Sequence, residues 1–154
     1  MKVAFQGEHG AYSEEAILQQ FGNSAEPVPR PDLRDVFDAV ERMEVELGIV
    51  PVENTLEGSV VHTYNLLLES SLKVQAEVIL RVIHCLIANP GVSMSGIRRV
   101  YSHPQALGQC RAFLQGHGYE AVATYDTAGS VRMLKEEGFR DAAAIASRRA
   151  AEVY

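Results

Sequence analysis

The apolar positions of this chain change their spacing from segment to segment, and each spacing predicts an element. Lys2-Val-Ala-Phe-Gln6 is short and apolar at its centre, a strand, and Gly7 and Gly10 bracket the turn that follows. Ser13 is the expected cap of a helix over EEAILQQF, which Gly22 ends. Residues 23–31 read as loop with a short extended piece. Asp32 caps a second helix, whose apolar residues Leu33, Val36, Phe37, Val40 and Met43 step by three and four and so share one face. Leu47 to Val52 is a strand. After a polar stretch, Val60, Val61, Tyr64, Leu67 and Leu68 mark a third helix.

The period then becomes two. Val74, Ala76, Val78, Leu80 and Val82 alternate, which predicts a long strand continuing through IHCLIAN to Pro90. From Gly91 the strand–helix order resumes. Arg99 to Ser102 is a strand, and Pro104 is placed as the first residue of a helix reaching Gly116 or Gly118. Tyr119 to Ala123 is a strand, Thr127 to Gly138 a helix, Ala142 to Ala146 a strand, and Ser147 opens a last helix. Alternating strands and helices predict an α/β fold of mostly parallel sheets in two lobes, 1–76 and 77–154, with a cleft between them.

Composition narrows the function classes. The 154 residues are 47% hydrophobic and 22% charged, the balance of a soluble globular protein, with a net charge of −6. That charge argues against a nucleic-acid or anionic-membrane surface, because both need clustered Lys and Arg. No apolar run reaches the roughly 18 residues of a membrane span. The start MKVAFQG enters a strand directly, without a signal peptide, so the expected location is cytoplasmic. Cys85 and Cys110 sit in apolar runs and read as buried thiols.

In open parallel sheets, ligands gather at the carboxyl ends of the strands. Here those ends carry Gln6 to Ser13, Glu53 to Ser59, Ser102 to Gln105, Thr124 to Ser130, and Ser147. Each leads toward a helix N-terminus, where free N–H groups and about half a positive charge favour an anion. Taken singly, such junctions are ordinary caps. Capping accounts for Ser13, Asp32 and Thr127. It does not account for Glu53 beside Asn54, or for Gln105 and Gln109, which share a helix face at i and i+4. The excess points to a small carboxylate ligand.

Other chemistries lack their signals. His9, His62, His84, His103 and His117 show no metal-ligand spacing, and no dinucleotide, P-loop or nucleophile-elbow motif occurs. His84 reads as a core histidine. His103 reads equally as a cap or a ligand contact. Arg148 or Arg149 could assist an anion near Ser147.

The segments FQGEHGAYSEEA, GIVPVENTLEGSV, HCLIA, YSHPQALGQC, DTAGSV and AAIAS stand in the order and approximate spacing of prephenate dehydratases, and the chain resembles that family from residue 3 onward. Plant arogenate dehydratases share these motifs. The resemblance implies two α/β lobes similar to periplasmic binding proteins, and a lyase that converts prephenate to phenylpyruvate with loss of water and CO2 on the route to phenylalanine. It implies no metal and no organic cofactor. The expected partner is prephenate or a similar small dicarboxylate. By motif match, Glu53, Asn54 and Gln109 are the catalytic candidates. Thr55, Ser59, Ser102, His103, Gln105, Asp126 and Thr127 are the substrate-binding candidates.

The resemblance also implies a Thr-Arg-Phe motif beyond AAIAS, whose threonine is the main acid group of the family. No Thr-Arg-Phe occurs among these 154 residues, nor does a regulatory ACT domain. The chain assayed alone is therefore expected to be weakly active or inactive, and insensitive to phenylalanine. Its first lobe is expected to want a returning segment and to expose apolar surface that favours a homo-oligomer. A carboxylate-binding module without catalysis is the competing expectation.

Overall fold

A computed structural model describes residues 1–56 and 58–154; Glu57, in the polar stretch after the strand predicted from Leu47 to Val52, lies outside the described residues. The chain is α/β and divides into two compact units. One comprises Met1–Glu8 and Tyr12–Leu80, the other His9–Ala11 and Arg81–Tyr154.

The first unit is built on β1 (Lys2–Gln6), flanked by β2 (Glu26–Arg30) and β3 (Leu47–Ile49), all parallel, in the order β2-β1-β3. Being central, β1 buries Val3, Ala4 and Phe5 completely. Helix α1 (Tyr12–Phe21) begins before Ser13, so Ser13 lies inside the first turn and is not its cap. Helix α2 (Leu33–Glu41) is capped as expected: Asp32 accepts a hydrogen bond from the Asp35 N–H. Its buried face, Leu33, Val36, Phe37 and Ala39, packs in two clusters with Ala4, Val45 and Leu66. Met43 leaves that face. It sits past the helix end at φ 58° and is 89% exposed, because the chain reverses there toward β3.

Strand β3 stops at Ile49, short of the predicted Val52. Pro51 has no N–H to give a ladder, and the chain turns into a two-stranded antiparallel hairpin of β4 (Glu53–Asn54) and β5 (Gly58–Ser59). Helix α3 (Val61–Glu69) follows, held to the preceding segment by the buried Thr63, whose hydroxyl donates to the Pro51 carbonyl at 2.6 Å.

The predicted long strand is the main correction. Residues 70–84 carry neither helix nor strand, and the period-two pattern becomes a ladder only at β6 (Cys85–Ala88). Alternation supplies a face, but a strand also needs a hydrogen-bonded neighbour. The extended segment is tied instead by side chains, with Gln19 donating to the Ile79 carbonyl at 3.0 Å, while Val74 and Ile79 stand exposed.

The second unit has a four-stranded sheet in the order β6-β9-β7-β8. Strands β7 (Arg99–Ser102), β8 (Glu120–Ala123) and β9 (Ala142–Ala146) are parallel, and β6 runs antiparallel along β9. All five residues of β9, AAAIA, are buried. The predicted helix after β7 is two pieces, α4 (Pro104–Gln109) and α5 (Arg111–His117), divided at Cys110. Gly118 closes α5 in the left-handed conformation. Helices α6 (Thr127–Glu137) and α7 (Arg148–Val153) follow β8 and β9. Ile97, Val100, Ala106, Leu107, Leu114, Ala143 and Ile145 form the core between the sheet and the α4–α5 layer. Asn89 fastens the end of β6 by donating to the carbonyls of Leu134 and Phe139 at 2.7 and 3.0 Å.

Residues 9–11 belong to this second unit although their neighbours in sequence do not. Ser147 Oγ donates to the Gly10 carbonyl at 2.6 Å, and Gly10, at φ +87°, lies so close to Ala150 that a Cβ would stand 2.6 Å from its Cα. Only glycine satisfies both the angle and the approach.

Candidate functional site

The parallel strands of the second unit end together, with Ser102 of β7 opposite Ala123 of β8, and β9 running on to Ala146. A helix leaves each end, and each is capped by a residue of the junction. His103 Nδ1 accepts from the Gln105 N–H at 3.3 Å, Asp126 Oδ2 from the Gly129 N–H at 3.2 Å, and Ser147 Oγ from the Ala150 N–H at 3.0 Å. Asp126, not Thr127, is thus the cap of α6, because the extended conformation of Asp126 lets its carboxylate fold back over the first turn. Behind it, the Ser130 hydroxyl donates to the Asp126 carbonyl at 2.7 Å and accepts from the Thr124 hydroxyl at 2.5 Å, which fixes the loop.

The substrate-binding candidates at this edge differ in what their side chains can offer. Ser102 is fully buried, and its hydroxyl donates to the Ile145 carbonyl at 2.6 Å, stitching β7 to β9. It supports the edge from behind. His103 and Gln105 are exposed on the first turn of α4, while Asp126 and Thr127 are half-buried at the start of α6. Gln109, the last residue of α4, is half-buried, and its Oε1 lies 2.8 Å from Nε2 of His84.

His84 corrects the core-histidine expectation. It is half-buried and hydrogen-bonded to a candidate catalytic side chain. The antiparallel course of β6 explains this. Cys85 pairs with Ala146, so the residue before β6 arrives where β9 ends. Periodicity alone marks His84 as apolar-strand, and only the direction of β6 brings it to the edge. The two thiols are likewise half-buried, not buried. Burial nevertheless pushes the Cys110 thiol up from its ordinary value, since a thiolate there would lose hydration.

In the first unit, Glu53, Asn54, Thr55 and Ser59 are together because the hairpin pairs Glu53 with Ser59 and Asn54 with Gly58. Asn54 Oδ1 accepts from the Leu56 N–H at 2.9 Å, an Asx turn that shapes the reversal. Glu53, Thr55 and Ser59 are exposed. Part of the polar content of this stretch is therefore turn chemistry, with Gly58 at φ +82° completing it.

Comparison with known proteins gives a consistent answer. The model of the prephenate dehydratase family matches residues 3–154. The chloroplastic arogenate dehydratase/prephenate dehydratase 2 of Arabidopsis thaliana is 46% identical over 154 residues, covering 100% of this chain and 40% of the relative. The chain thus spans about two fifths of the length of the curated relatives it matches. Among solved structures, the prephenate dehydratase of Arthrobacter aurescens in complex with L-Phe is 28% identical with a TM-score of 0.91, covering 100% of this chain and 52% of that one. GqqA, described as a novel type of quorum-quenching acylase, is 35% identical with a TM-score of 0.91, covering 99% of this chain and 56% of that one. The family match covers nearly every residue, and the chain belongs to the prephenate dehydratase family.

Proposed function

We propose that these residues bind and help to convert prephenate, or its amino analogue arogenate, in a lyase reaction that releases water and CO2. The observation that carries this reading is the family match over residues 3–154, with the motif YSHPQALGQC lying at a strand end that leads into capped helix α4. Phenylpyruvate is the product from prephenate. The C4–O bond breaks as a proton reaches the departing hydroxyl, giving water. The bond from the ring to its carboxylate breaks as well, its electron pair completes the aromatic ring, and CO2 leaves.

The residues suit that demand. A carboxamide such as Gln109 or Asn54 can donate to a carboxylate or a departing oxygen without the grip of an arginine clamp. A ring carboxylate held loosely in the ground state leaves more readily. Glu53, Asn54 and Thr55 enter the proposal on the family motif, with Glu53 setting local charge. His103, Gln105, Asp126, Thr127 and Ser59 are proposed substrate contacts, and Ser102 acts through its buried bond to Ile145. Help from a general acid is worth roughly 10²–10⁴-fold. That acid is proposed to lie in the Thr-Arg-Phe motif of the family, so these 154 residues alone should bind substrate and turn it over slowly or not at all.

The test is a paired assay at mildly alkaline pH with prephenate and with arogenate. One arm is this chain, the other the chain extended through a Thr-Arg-Phe segment from a relative. Product from the extended chain, lowered at least tenfold by Gln109→Leu, supports the reading. Folded extended protein that forms no product from either substrate overturns it. Saturable binding without product in both arms would favour a carboxylate-binding module.

A further inference from the structure

His84 opens the segment HCLIA, which the proposed chemistry does not use, yet it makes a direct side-chain contact with Gln109. We propose that His84 is a positioning residue that sets the orientation of the Gln109 carboxamide, so that its amide N–H groups are the donors presented to an oxygen of the substrate. This rests on the dehydratase reading for the identity of the substrate, but not for the positioning itself.

An amide oxygen can only accept, so the 2.8 Å contact requires the proton on His84 Nε2. Both the Nε2–H tautomer and the imidazolium supply it. A glutamine has three side-chain torsions, and its amide can present either end. With Oε1 engaged by His84, the NH2 end is the one turned to other partners. Prephenate carries two carboxylates and a hydroxyl, all of which can accept. A carboxamide locked with its donors forward is matched to them, and one free to flip is not.

The backbone makes the lock reliable. His84 precedes β6, which is pinned by its ladder to the fully buried β9 and by the two Asn89 bonds at its far end. Gln109 sits at the break between α4 and α5, where Ala106 and Leu107 anchor the helix in the core. His84 is thus the residue immediately before the pinned strand β6, and Gln109 is the last residue of α4.

The experiment uses the 154-residue chain and four variants, His84→Leu, His84→Asn, His84→Gln and Gln109→Leu, with the double variant His84→Leu/Gln109→Leu. Glutamine places an N–H near the position of Nε2; leucine has no donor, and asparagine is too short to reach. The first readout is the order of the Gln109 side-chain amide by 15N relaxation. It should be restrained in the parent and in His84→Gln, and mobile in His84→Leu and His84→Asn. The second is prephenate affinity. Loss of one oriented donor should weaken it about tenfold in His84→Leu. His84→Gln should restore it, and His84→Leu should add nothing once Gln109 is already leucine. An amide as ordered in His84→Leu and His84→Asn as in the parent overturns the proposal, and so does equal weakening by His84→Gln and His84→Leu. If the parent chain does not bind prephenate, the substrate reading falls, while amide order still decides the role of His84.

Discussion

Single side chains close the ends of the first sheet. Glu46 Oε2 accepts from the Lys2 N–H at 2.6 Å, and the Glu46 N–H donates back to the Lys2 carbonyl, sealing β1 to the turn before β3. The backbone N–H of Lys2 is the main reason the Glu46 carboxyl is held below the usual carboxylate range, followed by the N–H of Glu46 itself. A lowered folded value means that the carboxylate contributes stability above the ordinary glutamate value of about 4.3. That contribution is lost as pH falls through the folded value. Glu46→Gln should therefore flatten the acid limb of the stability curve below about pH 5 and leave its shape near pH 8 unchanged. Urea denaturation midpoints of both proteins, taken from pH 3 to 8, check this, and parallel curves would remove Glu46 from acid unfolding.

At the scale of elements, caps and ligand contacts compete for the same residues. Asp126 is a proposed substrate contact, and its Oδ2 also accepts from the Gly129 N–H. Removing such a cap costs about 1 kcal/mol. Asp126→Ala should lower stability by that amount, and Asp126→Asn, which keeps the accepting oxygen, should restore most of it. Chemical denaturation separates the two, and equal losses would mean that the charge, not the cap, matters. The elements themselves were largely readable. Asp32, Pro104, Gly118 and the 3.6-residue face of α2 announce their helices, because caps and periodicity are local signals. The failure at residues 74–84 has the opposite cause. Whether alternating residues become a strand is decided by a partner elsewhere in the chain, and no spacing records it. His84 was missed for the same reason, since the antiparallel sense of β6 is a property of the sheet.

Over the whole molecule, the chain divides into two compact units, and residues 102–105 and 124–130 follow the strand ends of the second one. The assignment of residues 9–11 to the second unit was not foreseeable. It depends on Gly10 meeting Ser147 and Ala150. Gly10→Ala combines a forbidden approach with a left-handed backbone. It should destabilise the protein by on the order of 1–3 kcal/mol. A thermal or urea melt measures this, and an unchanged midpoint would show that the β1–α1 turn relaxes freely.

The same clamp dictates an order of events during synthesis. β1, β2 and β3 can pair once about fifty residues have emerged, since nothing later is needed for their ladders. The Ser147–Gly10 bond joins positions 137 residues apart. A nascent chain must therefore hold residues 9–11 open until α7 has left the ribosome. Until then, a glycine-rich turn near the N-terminus stays accessible to proteases and chaperones, however well its own sheet has formed.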